Sequence, residues 1–477
     1  AKLYFVKSYY ANRPGQGDGY WYWDPNSEYT ASGAVVASGR SGRMLPIFPG
    51  DMIDVTMFGA ITKGLSQTND NAFQGALAYQ QDRTRGGMMF VPIGDYPIKS
   101  TLRRKTVGTA SLYQVNNGGG YAIGATNIVV DTGTGSFVVG DAVQIASSSE
   151  FTEHYRVVGW NSGTGQLQLE YPGLRVAVAD NAVIYVCPAP RLAIVGQNHG
   201  VTQDALERSQ TTSNISMETD NIPIIELGGF HNLVQNLTLV YDTFQSSSQT
   251  GAACIYNPGN QSLYQNVISG VSMHRGAYGI HVASGSTSAP NNWFYNILVE
   301  TASISCIYYN KSGTENWGGG WYLQYVASTR ATFTNLIKLT NSTEVTLELT
   351  SLPSNAQVGS WMLVSGTSIG GSQYIATLAT NSPEPQVKFD LGTNLLNTLV
   401  TGGTNGTVDI GPTTQMTAPM FYNIGQWDIT GLDVESTIGA ADVNVPVFIH
   451  NVGAKLTING LHNEYPLCRV NGQSLIK

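Results

Sequence analysis

The chain has 477 residues, 42% of them hydrophobic and only 12% charged, with 54 glycines and 25 tyrosines. A formal charge of −8 with no basic stripe argues against a nucleic-acid partner, and no apolar run approaches the roughly 20 residues of a membrane span. Disorder needs lower hydrophobicity and higher net charge; few charges among many small polar residues instead suit stacked, in-register strands, where like charges on neighbours repel.

The first 50 residues break aromatic clusters such as "GYWYW" with glycine and proline, which predicts a neck of short strands. Residues 51–126 open with "FGAITKGLSQTNDNAFQGALAYQQ", a run that predicts a helix over 70–81, capped by Asn69 or Asp70. After Gly86–Gly87, Met89, Val91 and Ile93 fall on one side of a strand. Residues 127–186 and 341–411 resemble each other, each with a Val-Gly step, an apolar strand, a polar loop and an alternating strand. They are expected to be two small antiparallel β-subdomains inserted into a central (187–340) and a C-terminal (412–477) repeat region. The four cysteines (Cys187, Cys254, Cys306, Cys468) are widely spaced, with no CxxC, and read as buried free thiols. No charged-then-apolar leader precedes the neck, so a signal peptide is absent or already removed.

Five segments of the repeat region share one pattern: alternation, then Asn or Gly, then alternation. The shared positions are Asn236, Gly270, Asn296, Gly431 and Gly460. A strand-period unit recurring every 20–35 residues marks a solenoid, whose coils bury their inner faces only by stacking. The gap between Asn296 and Gly431 is long enough to hide one or two further coils.

The opening motif resembles that of the pectate-lyase-like right-handed parallel β-helix superfamily. Phe58–Gly59–Ala60, Asn69–Asp70, Ala72–Phe73–Gln74, Ala76–Leu77, Gly86–Gly87, Phe90–Val91–Pro92, Gly94 and Tyr96 carry the match. Lys63–Gly64–Leu65 replaces the usual GDG turn. The resemblance implies an all-β, right-handed parallel β-helix with one N-terminal capping helix. Tyr20–Asp24, Gly33–Val36 and Arg43 are also similar to the segment before this motif in phage tailspikes and related polysaccharide depolymerases. That likeness implies a homotrimer made in the bacterial cytoplasm, acting on the virion tail or outside the cell, with a bacterial polysaccharide as substrate.

The candidate chemistry lies on outward positions of the coils. Four residues past each shared Asn/Gly stand Val240, His274, Glu300, Glu435 and Glu464, with Asp433 and Asp242 nearby. Paired carboxylates suit glycoside hydrolysis, so Glu300, Glu435, Glu464 and Asp433 are candidate catalytic acids. His274–Arg275 is the compact base-plus-cation pair that β-elimination by a lyase requires. "NKSGTENWGGGWYLQYV" reads as a glycine-rich loop, with Glu315, Trp317, Trp321 and Tyr322 as sugar-binding candidates beside Asp242. Without a nucleophilic triad, P-loop or metal-ligand spacing, no cofactor or metal is expected. Hydrolysis is preferred because acids outnumber bases on the column. A lyase and a non-catalytic receptor-binding spike of the same fold are the alternatives.

Overall fold

The computed structural model describes residues 3–476 apart from 11–16, 28–33, 38–41, 83–86, 105–107, 132, 146–153, 187–190, 201–209, 244, 286–288, 301, 313–314, 326–328, 339–343, 352–360, 366–371, 380–385, 391–405, 412–419, 437–448, 452–454, 464–469 and 472–474. The chain forms two compact units. The first comprises 1–92, 102–195 and 231–233; the second comprises 93–101, 196–230 and 234–477.

In the first unit, strands Leu3–Val6, Gly19–Asp24, Arg43–Ile47 and Val36–Ala37 make an antiparallel sheet. Helix α1 spans Ser66–Asp82 and packs against the parallel strands Met52–Asp54 and Met88–Val91. Its buried Ala72, Phe73, Ala76 and Leu77 recur at the i, i+3, i+4 spacing of one helical face. The helix starts earlier than the sequence suggests, so Asn69 is not its cap. Its side chain instead accepts from Ile61 N at 2.7 Å and donates to Ile61 O at 3.0 Å, pinning the preceding turn. Gln80, wholly buried, donates to Gly87 O and Ala193 O and so ties the helix to two strand segments. Strands between Asn127 and Val186 form a five-stranded antiparallel sheet around Val115, Ile128, Val143, Val157 and Leu167.

The second unit is a parallel β-helix. One sheet holds β1 (Leu233–Tyr241), β2 (Val267–His274), β3 (Trp293–Glu300), β4 (Asn316–Tyr325), β5 (Gln426–Ser436) and β6 (Lys455–Asn463), stacked in chain order. The pairings from β2 to β6 are parallel and in register. A second parallel sheet is built from the strands between them, including Ala253–Asn257, Tyr278–Val282, Ser305–Tyr309 and Phe421–Asn423. The chain alternates between the sheets, one strand of each per coil, and encloses a core in which Trp321, Trp427, Phe294 and Phe421 meet edge to face or tilted. Buried asparagines add a ladder across coils: Asn266 donates to Asn292, and Asn292 to Asn316. Each satisfies amide groups that burial would otherwise leave unpaired.

Each of β1 to β6 bends within its length through a left-handed residue: Asn236, Gly270, Asn296, Gly320, Gly431 and Gly460, with φ between 52° and 78°. Glycine adopts this region freely, and asparagine tolerates it better than other side chains. The Asn/Gly positions aligned from sequence are therefore a column of backbone kinks, and Gly320 adds the coil hidden between Asn296 and Gly431. A closed six-stranded antiparallel barrel, from Thr329–Lys338 to Gly406–Gly411, interrupts the chain after β4. It begins at Thr329, before residue 341; "TRATFTNLIK" has the same two-residue alternation as a coil strand, so the sequence does not mark this boundary.

Candidate functional site

The extra coil changes the geometry of the glutamate column. Glu300 pairs with Gln324 of β4, and Gln324 pairs with Glu435 of β5. Glu300 and Glu435 are thus two coils apart, roughly 9.6 Å at the strand spacing of a sheet, and are not neighbours. Burial separates them further from a shared role. Glu300 is only 7% exposed, and its Oε2 lies 3.2 Å from Nδ1 of His274, itself 1% exposed. The pair is enclosed in the coil stack and does not face an extended polymer. Arg275 turns away from His274: it sits at φ 62° on the corner and donates to Asp242 O at 3.2 Å. The base-plus-cation pair read from sequence is therefore split between the inside and the outside of the coil. Glu464 lies outside the described residues, as does the side chain of Glu435.

The glycine-rich "loop" is strand β4. Trp321 points into the core, 1% exposed, and its indole N–H donates to Phe294 O at 2.8 Å. It has no face to offer a ligand. The flanking glycine makes room for it, since a Cβ on Gly318 would lie 2.4 Å from the Trp321 ring. Trp317 is half-buried and stacks on Trp293 at 5.4 Å and 13°. Glu315 is exposed at the start of the strand, with φ 58°. Asp242 is exposed at a coil corner, its N–H bonded to Met217 O.

Tyr322 and Asp433 are brought together. Two residues past each kink, Tyr322 of β4, Asp433 of β5 and His462 of β6 occupy one register column. They line a cleft of about 510 Å³ that crosses three coils, floored by Gly320, Gly431 and Gly460. None of these residues carries a side chain, and the floor is bare over Gly431 and Gly460, while the Asn296 carboxamide reaches over Gly320. Nothing lies closer to a Cβ built on Gly431 or Gly460 than the preceding kink glycine, at 3.7 Å and 4.0 Å. Asp433 Oδ1 and His462 Nδ1 are 2.9 Å apart, and both side chains are accessible to solvent. Nearby, Lys455 is held by Asp428 at 3.2 Å. His462 is not on the column read from sequence, which runs through the fourth position past the kink; the second position also faces outward, and on these three coils it reads Tyr, Asp, His. No group of His, Cys, Asp or Glu among the described residues is arranged to hold a metal ion.

No protein-family model and no curated protein matches the sequence. Among solved structures, the tailspike protein gp49 from Pseudomonas phage LKA1 matches at 10% identity and a TM-score of 0.20, over 75% of this chain and 99% of that one. Pantoea stewartii WceF, described as a glycan biofilm modifying enzyme with a bacteriophage tailspike-like parallel β-helix fold, matches at 8% identity and 0.27. That match covers 85% of this chain and 68% of WceF. The fold of the present chain stands on its own strand pairing.

Proposed function

We propose that the protein binds a bacterial surface or extracellular polysaccharide in the cleft over Gly320, Gly431 and Gly460 and cleaves it by glycoside hydrolysis. The observation that carries this reading is the cleft itself: a glycine floor across three coils, with an aromatic ring, a carboxylate and an imidazole in one row. Such a groove admits an extended chain, and Tyr322 supplies an apolar ring edge with a hydroxyl. The likeness of the opening motif and neck to tailspike depolymerases points to a glycan of the bacterial surface.

Asp433 is assigned as general base. His462 fixes the orientation of its carboxylate, which takes a proton from water as that water attacks the anomeric carbon. Glu435 is assigned as general acid, giving its proton to the glycosidic oxygen as the bond to that oxygen breaks. A lyase would need a cation against a uronate carboxylate. Among the described side chains on this face the lysine is Lys455, already engaged by Asp428, which favours hydrolysis.

The test is to incubate the protein with a panel of purified bacterial O-chain and capsular polysaccharides and to follow reducing ends together with absorbance near 235 nm. New reducing ends without absorbance are expected, and Asp433→Asn and Glu435→Gln should each lower kcat by at least about 100-fold. Absorbance rising with the reducing ends would replace hydrolysis by elimination. Retained binding without either signal would leave a receptor-binding spike.

A further inference from the structure

The kink column holds two asparagines, and they differ in surroundings. Asn236 is half-buried, and its Oδ1 sits 2.7 Å from where a Cβ on Gly270 would lie. The His199 ring shares that space, 3.1 Å from the same point, so this part of the column is filled. Asn296 makes the same excursion over the next glycine, with Oδ1 2.7 Å from a Cβ position on Gly320. Asn296 is exposed, however, and Gly320 is the first floor residue of the cleft.

Its neighbour Tyr295 is 40% exposed and leans over Gly319, where a Cβ would meet ring atoms at 3.3 Å and 3.4 Å. The absence of a side chain at Gly319 lets this ring lie along the surface. The stacked pair Trp293 and Trp317, by contrast, turn their faces to each other. On the coil next to Gly320, beyond the residues that line the cleft, a laid-over aromatic ring thus stands beside a carboxamide with two N–H donors and an acceptor oxygen. An aromatic face together with an amide able to bridge neighbouring hydroxyls is the chemistry that recognises a pyranose unit.

We infer that Tyr295 and Asn296 form a further sugar subsite that extends the cleft by one coil beyond Tyr322, and that Asn296 selects the hydroxyl pattern of the unit bound there. This inference rests on the cleft being the glycan site. The two residues touch substrate away from the reacting bond, so they act on binding and not on the chemical step.

The matched position Asn236 supplies an internal control. Asn296→Gly and Asn236→Gly both replace asparagine by the residue best suited to a left-handed kink, so both variants keep the fold. With a polysaccharide from the same O-chain and capsular panel, Asn296→Gly and Tyr295→Ala are each expected to raise KM about tenfold, the loss of one good contact. Their kcat should hold within about twofold, the pattern of lost uniform binding, while Asn236→Gly leaves KM unchanged. Wild-type KM in both Asn296→Gly and Tyr295→Ala, or an equal rise in Asn236→Gly, would overturn the subsite. Tyr322→Ala separates this outcome from failure of the site itself. If that variant binds and cleaves as wild type does, the cleft is not where the glycan lies. If it fails while Tyr295→Ala and Asn296→Gly behave as wild type, only the extra subsite is lost.

Discussion

At the scale of single residues, glycine does three different jobs within "WGGGW". Gly318 clears space for the Trp321 ring, Gly319 lies beneath Tyr295, and Gly320 takes the left-handed kink. Read as a sequence, three glycines between tryptophans look like a loop, because the reasons for them sit on neighbouring coils. The Asn/Gly column, by contrast, was legible, since a left-handed residue restricts its own identity wherever it occurs. This difference yields a contrast between two substitutions. Gly318→Ala pushes a methyl into the Trp321 ring and should destabilise by about 1–3 kcal/mol, as overpacking does. A Cβ on Gly431 would meet no atom nearer than 3.7 Å, and asparagine tolerates the left-handed kink better than other side chains, so Gly431→Asn should lower stability by only about 1 kcal/mol. Its side chain would nevertheless cover the cleft floor as Asn296 covers Gly320, abolishing glycan retention. Thermal denaturation beside retention on the immobilised polysaccharide checks both outcomes.

At the scale of elements, strand periodicity reports which positions alternate but not which outward positions reach solvent. Periodicity alone puts His274 and Glu300 on the outward side of their coils, yet both are enclosed; Asp433, two residues past its kink, is open. Covering depends on segments distant in sequence, which a local pattern does not encode. The second sheet shows the same effect. Tyr256, His281, Tyr308 and Tyr422 occupy one register column on successive coils, and Tyr278 stacks on His281 at 4.2 Å. Burial among these rings holds the His281 imidazole down to about 4 from its usual 6.5. Between those two values the unfolded chain binds the proton and the folded chain does not, so stability rises with pH across the window. Acidifying from pH 6.5 to 4 should therefore remove up to roughly 3 kcal/mol through this one group. His281→Phe, which keeps an aromatic ring in the stack without a titrating nitrogen, should flatten that part of the profile. Denaturant melts of both proteins across pH 4–7 measure the difference, and parallel curves would show that His281 carries no such penalty.

At the scale of the molecule, the β-helix is a sum of coils, each held by its neighbours, and the barrel is a closed structure of its own inserted into that sum. Strand β4 pairs directly with β5, and Ser305–Tyr309 pairs with Phe421–Asn423, so the coils on either side of the insertion are already in register. In uninterrupted coils the chain crosses from the long sheet to the second one in a few residues, from His274 to Tyr278 and from Glu300 to Ser305. A linker of similar length between Tyr325 and Phe421 therefore replaces residues 326–420 without straining either sheet. Met420 is itself wholly buried, with its carbonyl bonded to Ile307 N, so the linker should retain it as its last residue. The shortened protein is expected to keep the far-ultraviolet signature of β-structure and to unfold within a few degrees of the parent. Cleft, kink column and aromatic core all lie on the retained coils, and among the described residues none from the barrel lines the cleft. Glycan retention should accordingly survive the deletion. A folded variant that no longer binds would mean that the barrel contributes to recognition, while an unfolded one would mean that coil stacking alone does not hold β4 against β5.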